Sequence, residues 1–171
     1  MPRQIKIADA VQVSERAVSD IDYWLRSFEF TGYVKNVEDD PHYQSLDVDL
    51  LWLYKNREYK IEIKGDRWHK TGNFFFETLS NKEKNTPGCF LYTEADFIFY
   101  YFIETRALFL LPMPVTADWF RNNLERFSER ETTTPFENGS FYTTVGRLVP
   151  IDSVTTEVPG VRRLMLQDRR S

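Results

Sequence analysis

The chain has 171 residues, 42% of them hydrophobic and 16% aromatic, which is enough apolar surface for one domain that folds unaided. Seven glycines and eight prolines exclude a low-complexity chain, and the single cysteine, Cys89, excludes an internal disulfide and suits a reducing compartment. The net charge of −4, taken globally, weighs against nucleic-acid binding, so the distribution of charge matters more than its sum.

Spacing predicts an amphipathic helix from Val13 to Phe30, with Ala17, Ile21, Trp24, Leu25 and Phe28 on one face. Ser14 is the expected cap, Val13 and Val18 form a hydrophobic staple around it, and Gly32 marks the stop. Residues 33–46 read as polar and irregular, with turn chemistry at Asp39-Asp40-Pro41. A β-hairpin is expected over 47–66, a short strand around Phe74-Phe75-Phe76, and a loop from Lys82 to Gly88. Asp96 to Glu104 and Ala107 to Met113 predict two paired strands. Thr116 is the expected cap of a second helix lined by Phe120, Leu124 and Phe127. After Arg130 the chain reads as loop, then as a strand from Phe141 to Val149, and its tail from Ile151 is poorly specified. The order predicts an α/β (α+β) domain, a mixed sheet flanked by helices, with a core of about 13–128 and a C-terminal extension over 129–171.

No apolar run reaches membrane-spanning length, because Glu104 and Arg106 break the run from Phe97 to Pro112. The opening Met-Pro-Arg-Gln-Ile-Lys is not followed by the apolar core of a signal peptide, so the expectation is a cytoplasmic protein with no membrane partner. Two basic clusters stand out: Lys55, Arg57, Lys60, Lys64, Arg67 and Lys70 with His69, and Arg162-Arg163 with Arg169-Arg170.

The hairpin carries the chemistry. Alternation puts Asp47, Asp49, Leu51 and Leu53 on one face of the first strand and Glu58, Lys60, Glu62 and Lys64 on one face of the second; Ile61 and Ile63 point into the core. With Asn56-Arg57 as a two-residue loop, Lys55 faces Glu58, Asp49 faces Lys64, Asp47 faces Asp66, and Glu62 lies one diagonal step from Asp49. An odd-length loop without a bulge would put Asp49 on the opposite side of the sheet.

In the favourable register Asp49 and Glu62 hold a hard cation through oxygen, the Ile63 carbonyl is a third ligand, and Lys64 orients water or neutralises phosphate. His42 and His69 lack partners at zinc-ligand spacing, and Cys89 stands alone. An acid-x-Lys triplet arises by chance about once in a chain this long, and Glu58-Tyr59-Lys60 is another. The apolar run Leu50-Leu51-Trp52-Leu53 adds weight, because acids at the mouth of a buried strand are costly unless paired.

These residues resemble the PD-(D/E)XK nuclease superfamily, the restriction-endonuclease-like fold. A leading helix, a strand bearing Asp49 and the Glu62-Ile63-Lys64 strand carry the resemblance over residues 13–128. They are followed by Thr71-Gly72-Asn73-Phe74-Phe75-Phe76-Glu77 and by Thr93-Glu94-Ala95-Asp96. This arrangement is similar to a group of phage and bacterial nuclease-like proteins. The resemblance implies a metal-dependent deoxyribonuclease using Mg2+, with Mn2+ as a substitute. Asp49 and Glu62 match its metal-binding acids and Lys64 its catalytic lysine, although Val48, not proline, precedes Asp49. Asp47 competes with Asp49, which is preferred because the two-residue turn brings it nearer Glu62. Asp66, Asn73 and Glu77 are accessory candidates, and an acid from the first helix, Asp20, Asp22 or Glu29, is another. Lys55, Arg57, Arg67 and Lys70 are the expected phosphate contacts, with Trp68 against a base. The alternatives are a non-catalytic nucleic-acid- or protein-binding member of the fold, and a junction resolvase or RNA endonuclease with the same site. A junction resolvase requires a homodimer.

Overall fold

The computed structural model describes residues 3–168, so Arg169 and Arg170 of the second basic cluster lie outside the described residues. In chain order the elements are β1 (Arg3–Gln4), α1 (Ile7–Arg26), β2 (Thr31–Asn36), α2 (Pro41–Leu46), β3 (Leu50–Tyr54), β4 (Arg57–Asp66), β5 (Asn73–Asn81), β6 (Thr86–Pro87), α3 (Cys89–Tyr92), β7 (Phe97–Phe102), β8 (Ala107–Pro112), α4 (Val115–Asn123), β9 (Glu129–Pro135), β10 (Phe141–Pro150), α5 (Ile151–Glu157) and β11 (Arg162–Met165). A six-stranded sheet runs β11-β8-β7-β4-β3-β2, and a five-stranded sheet runs β1-β9-β10-β5-β6. The six-stranded sheet is mixed, because β4 pairs parallel with β7 while its other pairings are antiparallel. The mixed α/β class expected from the sequence is therefore present. Among the described residues no helix is long and apolar enough to cross a membrane.

Each face of the six-stranded sheet buries its own core. On one side α1 lays Ala17, Val18, Ile21 and Leu25 against Leu50, Ile61, Ile63, Phe99 and Tyr101. On the other, Ile98, Tyr100, Phe102 and Phe109 meet Phe74 and Phe76 of β5, Val149 of β10 and Phe120 of α4. Burying a large apolar side chain stabilises by about 1.5–3 kcal/mol, so these two layers fix the position of β4 between α1 and β5.

Several boundaries differ from the sequence reading. Helix α1 begins at Ile7 and ends at Arg26, so Ser14 lies inside it rather than capping it. The good helix formers Ala8 and Ala10 extend it backwards. Gly32 belongs to β2, not to a helix stop. Residues 33–46 are ordered: Asp40 caps α2 by accepting the His42 N–H at 2.9 Å, with Pro41 at the first helical position. The N-cap of α4 is Pro114, and Thr116 instead donates its hydroxyl to Pro112 O at 2.7 Å. Beyond 128, β9 and β10 join one sheet and β11 the other, so these residues are built into the same layers as the core.

Helix α1 touches β4 at Gly65. A Cβ there would lie 2.9 Å from both the Val13 carbonyl oxygen and the Ala17 Cβ. Gly65→Ala is therefore expected to push α1 off the sheet and cost about 1–3 kcal/mol, read as a lower urea midpoint at unchanged m-value.

Candidate metal and phosphate site

The hairpin turn is Lys55-Asn56, both with positive φ (48° and 62°), the conformation of a two-residue type I′ turn. This sits one residue earlier than expected. The pairs are Tyr54 with Arg57 and Leu50 with Ile61, not Lys55 with Glu58 or Asp49 with Lys64. The loop length is still even, so the parity condition holds and Asp49 and Glu62 share a side of the sheet. Their carboxyls lie within hydrogen-bonding reach of each other.

Asp49 sits just before β3. Its N–H donates to Ile61 O at 2.9 Å, and its Oδ2 accepts the Ile63 N–H at 2.7 Å. The N–H and C=O of a strand residue point to the same side, so the Ile63 carbonyl faces the β3 side beyond the last β3–β4 pair. With Ile61 and Ile63 packed on α1, Glu62 and Lys64 are turned to the opposite face, toward β5. Lys64 Nζ lies 3.3 Å from Glu62 Oε1 and 3.7 Å from Glu77 Oε2.

Asp47 arrives by another route. It ends α2 in the left-handed conformation (φ 58°), and the Thr93 hydroxyl donates to its carbonyl at 2.8 Å. Oxygens of Asp47 and Glu62 and the Cys89 sulfur lie within 4.8 Å of one another. Asp47 Oδ2 is buried without a hydrogen-bond partner. Cys89 starts α3, held against β5 by Gly88: a Cβ at Gly88 would come 2.3 Å from Glu77 O, and its N–H donates to Thr78 O at 2.9 Å.

Burial drives the electrostatics. It raises the Asp49 pKa from 3.8 to about 6, against the Ile63 N–H and Lys64, which lower it. Glu62 is pushed well up by burial and by its neighbours Asp49 and Asp47, and Asp47 is raised mainly by burial. Burial opposes the charge on Lys64, but the surrounding acids Glu77, Glu62 and Asp47, joined at high pH by the Cys89 thiolate, more than offset it, so the lysine stays protonated. The Cys89 thiol is pushed well up by burial, and Tyr92 to about 12 for the same reason. A crowded set of acids with raised pKa values and an orphaned carboxyl oxygen fits a divalent cation, which replaces their protons. The cluster also holds the Cys89 sulfur, whose proton a coordinating cation would displace in the same way; its carboxyl oxygens are the donors that suit Mg2+ or Mn2+, and its sulfur suits a softer ion.

Asp47, Asp49, Glu62, Lys64 and Glu77 are thus brought together. Asp66 is not among them: it accepts from the Tyr100 hydroxyl and from the Trp68 N–H. Asn73 completes a turn around Gly72, donating to Thr71 O at 3.1 Å. Asp20 faces α1's side of the sheet, bonded to Tyr101 and Arg106, Asp22 pairs with Arg26, and Glu29 lies in the exposed turn after α1. Lys55 and Arg57 sit at the far end of the hairpin, about 20 Å of strand from Asp49, over the rings of Phe30, Tyr54 and Tyr59. Arg67 lies near the site, 3.7 Å from Asp9, and Lys70 is exposed on the single turn His69–Thr71. Cys89, Tyr92 and Thr93 are the site residues that sequence reasoning did not place, and the Pro87-Gly88 pair was the available signal for a tight approach there.

No protein family model matches the chain, and neither does a curated protein or a solved structure.

Proposed function

We propose that the protein is a metal-dependent nuclease of the restriction-endonuclease-like fold that hydrolyses phosphodiester bonds of DNA. The observation that carries this reading is the convergence of Asp49, Glu62 and Lys64 on one side of the sheet, with Lys64 Nζ 3.3 Å from Glu62. The α1, β2-β3-β4 meander and parallel β7 agree with the mixed, helix-flanked sheet that the resemblance implies.

Glu62 would hold the cation with Asp49, its neighbour across the hairpin, and Asp47, within 4.8 Å of Glu62, would add a further oxygen, with the Ile63 carbonyl on the β3 side. A bound divalent ion supplies Lewis acidity and a water of lowered pKa. Lys64, held charged by the acids around it, offers positive charge to a phosphate approaching from the β5 side. In the hydrolysis, water adds a hydroxyl to phosphorus, one backbone P–O bond breaks, and the leaving oxygen takes the proton. Glu77 is the second acid beside Lys64, 3.7 Å from its ammonium.

The test is cleavage of supercoiled plasmid and of circular single-stranded DNA with Mg2+, Mn2+ or chelator. Metal-dependent cleavage of at least one substrate is expected from the wild type and none above background from Lys64→Ala. Equal products from the two proteins would reject the reading and leave a binding protein of this fold.

A further inference from the structure

A cleft of about 760 Å³ opens from Lys64 and Glu77 and runs between the end of β4 with the following turn, the first half of α1, and the five-stranded sheet. Its floor is the face of β9 and β10 turned away from the aromatic core. The cross-strand pairs Thr134–Tyr142 and Thr132–Thr144 and, beyond them, Arg130 lie along it, whereas Val149 faces the core. That floor offers the Thr132 and Tyr142 hydroxyls and the Arg130 guanidinium, groups that bind phosphate and sugar without reading sequence, whereas Thr134 is buried and Thr144 donates to Ser80 O at 3.2 Å. Trp68, 39% exposed, stands at the wall with the Arg67 guanidinium 5.6 Å from its ring centre.

Four acids line this cleft, and Glu77 pairs there with Lys64 at 3.7 Å. Glu129 pairs with Arg147 at 3.2 Å, Glu131 with Lys82, and Asp66 accepts from Tyr100 and Trp68. Lys64 is matched by Glu77 and Arg67 by Asp9, so the lining is close to charge-balanced and Arg130 is the exposed cation on its floor. Its volume is that of a site for a small ligand, in the range of about 300–1,000 Å³. A couple of unpaired nucleotides fit such a space, whereas a duplex, roughly 20 Å across, does not enter it.

We infer that this cleft takes a single strand of DNA, with its backbone along the β9–β10 floor and a base against Trp68, and leads it to Lys64. This inference rests on the nuclease reading and deepens it by naming the substrate class.

The test uses full-length Glu62→Gln protein, with cleavage silenced, and fluorescence anisotropy of a labelled 15-nucleotide oligodeoxythymidylate and a 15-base-pair blunt duplex. The single strand is expected to bind at least about tenfold more tightly, and Trp68→Ala with Arg130→Ala to weaken it by about tenfold or more. The wild type with Mn2+ is expected to cut the single strand faster than the duplex. Duplex bound or cut as well as single strand, or an unchanged single-strand affinity in the double variant, would overturn the cleft assignment while metal-dependent cleavage still upheld the nuclease. Single strand held through Trp68 and Arg130 with no metal-dependent cleavage by the wild type would do the reverse.

Discussion

At pH 7.5 without divalent cations, Asp49→Asn is expected to stabilise the protein by about 3 kcal/mol while abolishing metal-dependent cleavage. Burial lifts the Asp49 carboxyl from 3.8 to about 6 in the folded chain. Between those values the folded state holds a proton that the unfolded chain has lost, so stability falls as pH rises through about 6. Above it, the native state carries a buried anion beside Glu62. An asparagine keeps an oxygen for the Ile63 N–H, which now bonds Asp49 Oδ2 at 2.7 Å, and can donate to Glu62. Urea titrations of both proteins in chelator check this: the variant gains at pH 7.5 and gains almost nothing at pH 4. The same difference at both pH values would count against a buried-anion origin. Mn2+ should raise the wild-type Tm more at pH 7.5 than at pH 5, because protons compete for the same oxygens.

The second large effect is expected at Lys64. Lys64→Met removes the one ammonium placed 3.3 Å from Glu62 and 3.7 Å from Glu77, and cleavage should fall by about 10²–10³, the loss typical of one preorganised group acting on developing charge. Binding of Mn2+ should be unchanged or tighter, because a repelling cation has left a set of carboxylates. Calorimetric titration of Mn2+ beside the cleavage rate separates this from a structural role. If metal binding and cleavage vanish together, the lysine organises the site and does not act on phosphate.

Local chemistry was legible in the sequence. The period-2 alternation of Glu62 and Lys64 against Ile61 and Ile63 gave the face they occupy, and an even turn gave the shared side with Asp49. The turn itself was placed one residue late, because several residues near it tolerate a tight turn and only strand pairing selects Lys55-Asn56. The aromatic strands β7 and β8 were equally legible, since a continuous apolar run has few other folds open to it.

What the chain could not reveal locally is whatever depends on contacts distant in sequence. Asp47 joins the site through a left-handed residue closing α2 and a hydroxyl from Thr93, 46 positions away. Glu77 joins because β5 pairs with β10 in a second sheet and passes over β4. Cys89 joins because Gly88 lets α3 start against the Glu77 backbone. Lys55 and Arg57 lie away from the site for a local reason, since they sit at the hairpin turn, about 20 Å of strand from Asp49. Strand periodicity is a property of neighbouring residues and can be read from the chain. The meeting of two sheets around a pocket of raised-pKa acids is set by burial of their separate aromatic faces, and only the tertiary structure decides it.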